Sequence, residues 1–213
     1  MRTVSVLFAR KNSIYFTLPG CEVYDATRNA LTWPGGTPVV CHPPCGQWGR
    51  LAHFARPNPW EKALAPFAVG TVQRWGGVLE HPAGSRLWQV CDLPAPGLLD
   101  SRGGFTLVID QLWFGHRATK RTWLYVCAID QADVPEIPFT LAYPTHSVAT
   151  RQHAPKALPE LSRAGRESTP SALAVWLVNL ARKAAPHAQV LSEEVDTFSD
   201  EKISGDTRPV LSM

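Results

Sequence analysis

Two adjacent prolines, Pro43 and Pro44, follow directly on the apolar run Pro38-Val39-Val40-Cys41 and its trailing His42. Proline donates no backbone hydrogen bond and fixes φ, so a strand that meets such a pair stops there. The chain leaves rigid and extended, and holds Cys45 beside the strand end. Other apolar runs are punctuated in the same way. Residues 4–9 are short, apolar and rich in β-branched side chains, and residues 21–24 end on Asp25. Val78 and Leu79 start a strand that Glu80-His81-Pro82 is expected to cut off. Between them, residues 60–75 carry apolar side chains at 64, 68, 72 and 75, the spacing of a helix. Pro66 is expected to kink that helix, and Gly76-Gly77 to end it.

The second half is less regular. Residues 90–104 read as a loop rich in proline and glycine, and residues 105–109 and 122–129 read as strands. Residues 130–165 read as irregular. Thr169 is then the expected N-cap of a last helix, with Pro170 in its first turn and an apolar stripe of Leu173, Trp176, Leu177 and Leu180. Short strands alternating with helices predict an α/β sheet, one domain over residues 1–185, and an acidic, flexible tail over 186–213. In such sheets ligands bind beyond the carboxyl ends of the strands. Asp25, the His42–Cys45 stretch and the Glu80–Pro82 stretch are therefore expected to form one site.

Composition narrows the class. The chain has 213 residues, 45% hydrophobic and 18% charged, enough for a packed core. Its net charge is +3, but the tail holds six acids against Lys202 and Arg208, so the rest of the chain carries +7. A basic body suits a nucleic-acid partner. The 8 tryptophans read first as core and second as base-stacking groups. The 5 cysteines form no CxxC pair, no apolar run approaches 18 residues, and the first ten residues are too short and too charged for a signal. A reduced cytoplasmic protein off the membrane is the expectation.

Three groups carry candidate chemistry. Cys45 needs a basic or cationic setting to act as a nucleophile, and His42 and Arg50 are near in sequence. The plain alternative is a small apolar cysteine. Glu80, partly buried at a strand end, is expected to have a raised pKa and to donate a proton or hydrogen bond. Its plain alternative is a salt-bridged rim residue. Arg117, Lys120 and Arg121 cluster just before a strand, as a phosphate grip or as a solvated turn. Cys41, His42 and Cys45 offer a zinc site only weakly, without a fourth ligand, so no metal is expected.

In this order the motifs resemble the cytosine-5 DNA methyltransferase family. Val-Cys-His-Pro-Pro-Cys45 is similar to the family's Pro-Pro-Cys after a strand, and Leu-Glu80-His-Pro to its Glu-Asn-Val. The stretch from Phe114 to Thr122 is similar to its Gly-x-x-Gln-x-Arg-x-Arg, with Lys120 in the place of the first Arg and Thr122 in that of the second. Arg166 to Pro170 is faintly similar to a late Arg-x-x-Thr-Pro. The likeness runs through residues 3–180 and is nearest to compact, divergent methylase-like proteins of phages and prophages.

The resemblance implies a Rossmann-like, S-adenosylmethionine-dependent methyltransferase-type sheet flanked by helices. It implies DNA as partner and a bacterial host cytoplasm. A flipped cytosine would take Cys45 at C6, with Glu80 on its N3 and amine, and Lys120 with Arg117 or Arg121 would steady loop and phosphates. Phe8, Ala9, Asp25, His42 and Pro44 would line the cofactor, with Asp25 on its ribose. Arg50, Arg117, Lys120 and Arg121 would face nucleic acid. The sequence departs from the family where the cofactor loop, Phe8 to Ser13, has no glycine, and where about forty residues stand for the target-recognition region. A partner protein would then supply specificity. Other readings stay open: an amino-methyltransferase with His42-Pro-Pro-Cys45 as a degenerate motif, a transferase of another group to pyrimidine C5, or a non-catalytic phage nucleic-acid binder.

Overall fold

The computed structural model describes residues 1–49, 52–54, 56, 58–148 and 158–185. Six strands form one mixed sheet: β1 Val4–Leu7, β2 Cys21–Tyr24, β3 Val39–Cys41, β4 Gly77–Pro82, β5 Phe105–Asp110 and β6 Arg121–Cys127. Their order is β2-β1-β3-β4-β6-β5. The first four are mutually parallel, β6 runs antiparallel to β4, and β5 runs antiparallel to β6. Hence β5 points the same way as β1–β4, and only β6 is reversed. The chain is an α/β protein, as its punctuated strands predict.

Alternation along each strand sends side chains to two layers. Val4, Val6, Val40, Val78, Leu124 and Val126 meet α4, Ser171–Arg182, through Leu173, Leu177 and Leu180. Leu7, Val39, Cys41, Leu79 and Tyr125 meet α1, Pro59–Trp75, through Ala65, Ala68, Val69 and Val72. Asn58 caps α1 by accepting from the Glu61 N–H at 3.2 Å, and Pro59 fills the first helical position, where a missing N–H costs little. The helix runs on through Pro66 to Trp75. Gly76, at φ 73°, then caps it, as the sequence predicts.

Three expectations are corrected. β4 does not stop at Glu80; it continues through His81 to Pro82 because β6 pairs with all six of its residues. Thr169 is not the N-cap of α4. Pro170 holds that position in an extended conformation and makes no side-chain cap, so the helix starts at Ser171. The stretch 130–165, expected to be irregular, runs into a short helix, α3 Arg163–Glu167, and another, α2 Leu87–Val90, precedes the 90–104 loop. The tail at 186–213 lies outside the described residues. Among those described, no helix is long and apolar enough to cross a membrane. Trp48, Trp88 and Trp176 are core residues, whereas Trp60 is exposed.

Gly77 sits where β4 leaves α1. Its φ is +122°, and a Cβ there would stand 2.0 Å from the Val39 carbonyl oxygen. Left-handed strain and a backbone clash act together, so Gly77→Ala should cost more than about 2 kcal/mol in urea unfolding. Gly70, in the exposed face of α1 with open space where a Cβ would go, is the opposite case. Gly70→Ala should stabilise the fold by about 0.5–1 kcal/mol in the same assay.

Candidate functional site

The strand order reverses between β1 and β3, since β2 lies on one side of β1 and β3 on the other. The crevice beyond the carboxyl ends at such a switch point is where an α/β sheet binds ligands. Phe8 and Ala9 leave β1 there, and His42 leaves β3 there. His42 follows Cys41, whose register partner is Leu79, so it comes level with Glu80 on β4. Both side chains fall on the α4 side by alternation.

The result is a polar chain across the rim. His42 Nδ1 stands 3.1 Å from Glu80 Oε2, and His42 Nε2 stands 2.9 Å from the hydroxyl of Tyr15. Tyr15 is buried in a one-turn 3-10 helix, Ile14–Thr17, that fills the connection from β1 to β2. On the other oxygen, Gln111 Nε2 donates to Glu80 Oε1 at 3.0 Å and to Thr122 Oγ1 at 3.1 Å. Gln111 follows β5, and Asp110 fixes its turn by accepting from the Leu112 and Lys120 N–H groups at 3.0 and 2.9 Å. Two side chains, His42 and Gln111, thus bond one carboxylate, and Tyr15 and Thr122 bond those two from behind.

Burial by itself would raise the pKa of Glu80. The His42 hydrogen bond and the Lys120 ammonium outweigh it and bring the carboxyl down to about 2. Glu80 is therefore an ionised acceptor, which overturns the expectation of a raised pKa and a proton donor. A carboxylate has no proton to give, so His42 Nδ1 is the donor in that pair. Tyr15 is pushed upward by burial and by the Glu80 charge, and stays a phenol.

Cys45 is exposed at the mouth of this rim. Desolvation by the surrounding protein and the Glu80 charge push its thiol up, while Lys120 pulls it back. Cys45, Glu80 and Lys120 are thus within electrostatic reach of one another, though 75 residues separate the first from the last. The thiol is the resting form. On the α1 side, His81 is fully buried and its Nδ1 bonds Ser85 Oγ at 2.8 Å. Burial holds it down to about 4, against smaller upward pulls from Glu80 and the Pro44 main chain.

The other expected residues divide. Asp25 does not join the His42–Glu80 pair; β1 stands between β2 and β3, roughly 10 Å of sheet. Its Oδ1 accepts from the Thr27 and Arg28 N–H groups at 2.9 and 3.0 Å, and it lines an open hollow of about 690 Å³ with Phe16, Glu22 and Arg28. Arg117 and Arg121 are exposed, and Lys120 is half-buried. Arg50 lies outside the described residues. Cys41 faces α1 while His42 faces the other way, and no group of three or more His, Cys, Asp or Glu suited to a metal ion is found among the described residues.

The adenosyl cofactor implied by the resemblance needs backbone approach at the loop after β1. Phe8 and Asn12 take φ of 62° and 66° there, so the loop turns left-handed without glycine. Yet Phe8 packs edge-on against Phe67 at 6.2 Å. The Ala9 N–H is taken by the Tyr24 carbonyl at 3.1 Å. Arg10 reaches to α3, bonding the Ala164 carbonyl at 3.0 Å and Glu167 at 3.5 Å. These residues do not form a cradle for that cofactor. Tyr15, Gln111 and Asp110 are functional positions that sequence reasoning missed; the Asp-Gln-Leu turn after an apolar run was the available signal. No family model, curated protein or solved structure matches the chain.

Both shifted groups on β4 are shifted down. Such groups stabilise the folded state above their unfolded pKa values and lose that contribution as pH falls through the folded ones. His81 acts between its ordinary 6.5 and about 4, and Glu80 between its ordinary 4.5 and about 2. Thermal melts followed by circular dichroism should show Tm falling in two stages below pH 6.5. His81→Gln should flatten the upper stage and leave the lower one.

Proposed function

We propose that this protein modifies a pyrimidine base of DNA by covalent catalysis, with Cys45 as nucleophile and Glu80 as the carboxylate that holds the base. One observation carries the reading: an ionised, acceptor-only Glu80 shares the switch-point rim with Cys45 and Lys120. An acceptor-only group selects an edge that presents N–H, as the exocyclic amine of cytosine does, and opposes the O4 of thymine. The doubly wound arrangement, helices on both faces of a largely parallel sheet, supports a Rossmann-like scaffold.

Desolvation and the Glu80 charge keep Cys45 a thiol at rest, so its proton has to leave as the sulfur adds. Its sulfur bonds to C6 while its proton passes to N3, which becomes basic as the ring loses aromaticity. His42, hydrogen-bonded to Glu80, lies on that proton's route. The adduct is an enamine with a nucleophilic C5. C5 then takes an electrophile, whose donor keeps the bonding pair, and loses its original proton to solvent; Cys45 leaves as the N3 proton returns to its sulfur, which restores the ring and the thiol. The resemblance supplies the methyl of S-adenosylmethionine as electrophile, but the Phe8 to Ser13 loop supports no step through it. Lys120 offsets negative charge at the rim, and Arg117 and Arg121 face the DNA backbone.

With no electrophile, C5 takes a solvent proton instead. Cytosine in DNA should therefore exchange H5 for deuterium in D₂O, read by mass spectrometry. Cys45→Ser should abolish exchange, and Glu80→Gln should slow it by roughly 10²–10³-fold. Absence of exchange together with tight DNA binding would support the second reading, a non-catalytic binder, which the Arg10 tie across the crevice favours. New amino-methylated bases that survive Cys45→Ser would instead support an amino-methyltransferase. Digested DNA incubated with and without S-adenosylmethionine tests the donor.

A further inference from the structure

The segment from Glu136 to His146 crosses the surface without regular structure, yet both its ends are pinned. Trp176 Nε1 donates to the Glu136 carbonyl at 3.0 Å, and Ile137 packs on the core. At the far end the Thr145 and His146 N–H groups both bond the Arg117 carbonyl, at 2.9 and 3.0 Å. Between these anchors Phe139, Leu141 and Tyr143 are 68%, 82% and 91% exposed. Three large apolar side chains within five residues are too many for an idle surface, because each keeps apolar area in water.

This strap belongs to the same rim as Glu80. Gln111, which holds Glu80, opens the short turn Gln111–Phe114, and Trp113 on that turn stacks against Phe139 with ring centroids 5.3 Å apart. The strap's one acid, Glu136, stands at the anchored start. Residues 137–148 contain no acid, and Arg117 and Arg121 are exposed with no ion-pair partner among the described residues. Rings beside unpaired cations suit a polyanion that carries flat, stackable groups.

We infer that the strap Phe139–Leu141–Tyr143, backed by Trp113 and flanked by Arg117 and Arg121, is a docking surface for single-stranded DNA leading into the Glu80 rim. Base faces in a duplex are already stacked on their neighbours, so exposed rings find free partners only on a single strand. Arg117 lies on the connection before β6 and Arg121 at its first residue, neither on a helix fit to enter a major groove. Naming the polymer as DNA rests on the proposed function; the stacking surface itself does not.

Full-length Cys45→Ala protein separates binding from chemistry. Its fluorescence anisotropy should be titrated with labelled single-stranded DNA of about 20 nucleotides, the same sequence as duplex, and the same sequence as RNA. Single-stranded DNA should bind at least tenfold tighter than duplex and no weaker than RNA. Phe139→Ala and Tyr143→Ala should each weaken it by roughly tenfold, and Phe139→Trp should retain it. Arg117→Ala should reduce the salt slope by about 0.7. Equal or tighter binding of duplex, tighter binding of RNA, or indifference to both alanines overturns the inference. So does a strap-dependent dimer in sedimentation, which would make a second copy the occupant. Single-strand binding without cytosine exchange sinks the Cys45 chemistry and leaves the surface standing. Exchange that ignores the strap variants does the reverse.

Discussion

The fold is organised around one buried negative charge. An ionised carboxylate at a sheet rim is costly unless hydrogen bonds and a countercharge replace the water it loses. Glu80 gets them from His42 after β3, Gln111 after β5 and Lys120 before β6, with Tyr15 behind His42. Gln111 and Lys120 come from the two ends of the β5–β6 connection, His42 from the end of β3 and Tyr15 from the β1–β2 connection. The strand order β1-β3-β4-β6-β5 is thus also the order in which this cluster is assembled across the rim. Reversal of β6 matters here, because it brings the start of that strand, rather than its end, to the carboxyl ends of the others.

That dependence decides what could be read from the chain. β1 was legible from its short β-branched apolar run, and β2 and β3 because Asp25 and the proline pair end them locally. α1 was legible from its apolar spacing and its Gly76 cap. Glu80 was read at a strand end because Pro82 is two residues on, and proline alone does end unpaired strands. The pairing that prolongs β4 comes from residues 121–127, some forty residues later, and no local pattern announces it. The pKa of Glu80 was misread for the same reason: burial is local and legible, whereas Gln111, His42 and Lys120 meet only in the fold. Tyr15 looks in sequence like any aromatic beside a loop. Cys45 and Lys120 were placed near Glu80 from strand ends alone, although Glu80 itself lies inside β4. Asp25 obeys the same rule but sits one strand too far out.

The electrostatics of the rim make Cys45 dependent on what binds there. Left alone, desolvation and the Glu80 charge oppose a thiolate more than Lys120 favours it, so the thiol is kept in its unreactive form. A ligand that presents N–H groups to Glu80 spreads that negative charge into hydrogen bonds and lessens one obstacle to ionisation, the larger one being desolvation. Reactivity at Cys45 would then follow occupancy of Glu80. An exposed cysteine held in this way resists adventitious oxidation, which also tracks thiolate character.

The loop after β1 joins this rim to α3. Arg10 bonds the Ala164 carbonyl and Glu167, Glu167 is shared with Arg163, and Glu167 in turn acts on Cys45. His116, beside the basic connection, touches the Gly165 carbonyl at 3.3 Å. One turn of helix therefore closes the crevice from above, held from the β1 side by Arg10 and from the β6 side by His116. These contacts are exposed or half-exposed and individually weak, so they are the part of the site cheapest to open. A glycine loop would leave the crevice permanently open to a cofactor. Here the loop is instead tied to α3 by the Arg10–Glu167 salt bridge, which is open to water.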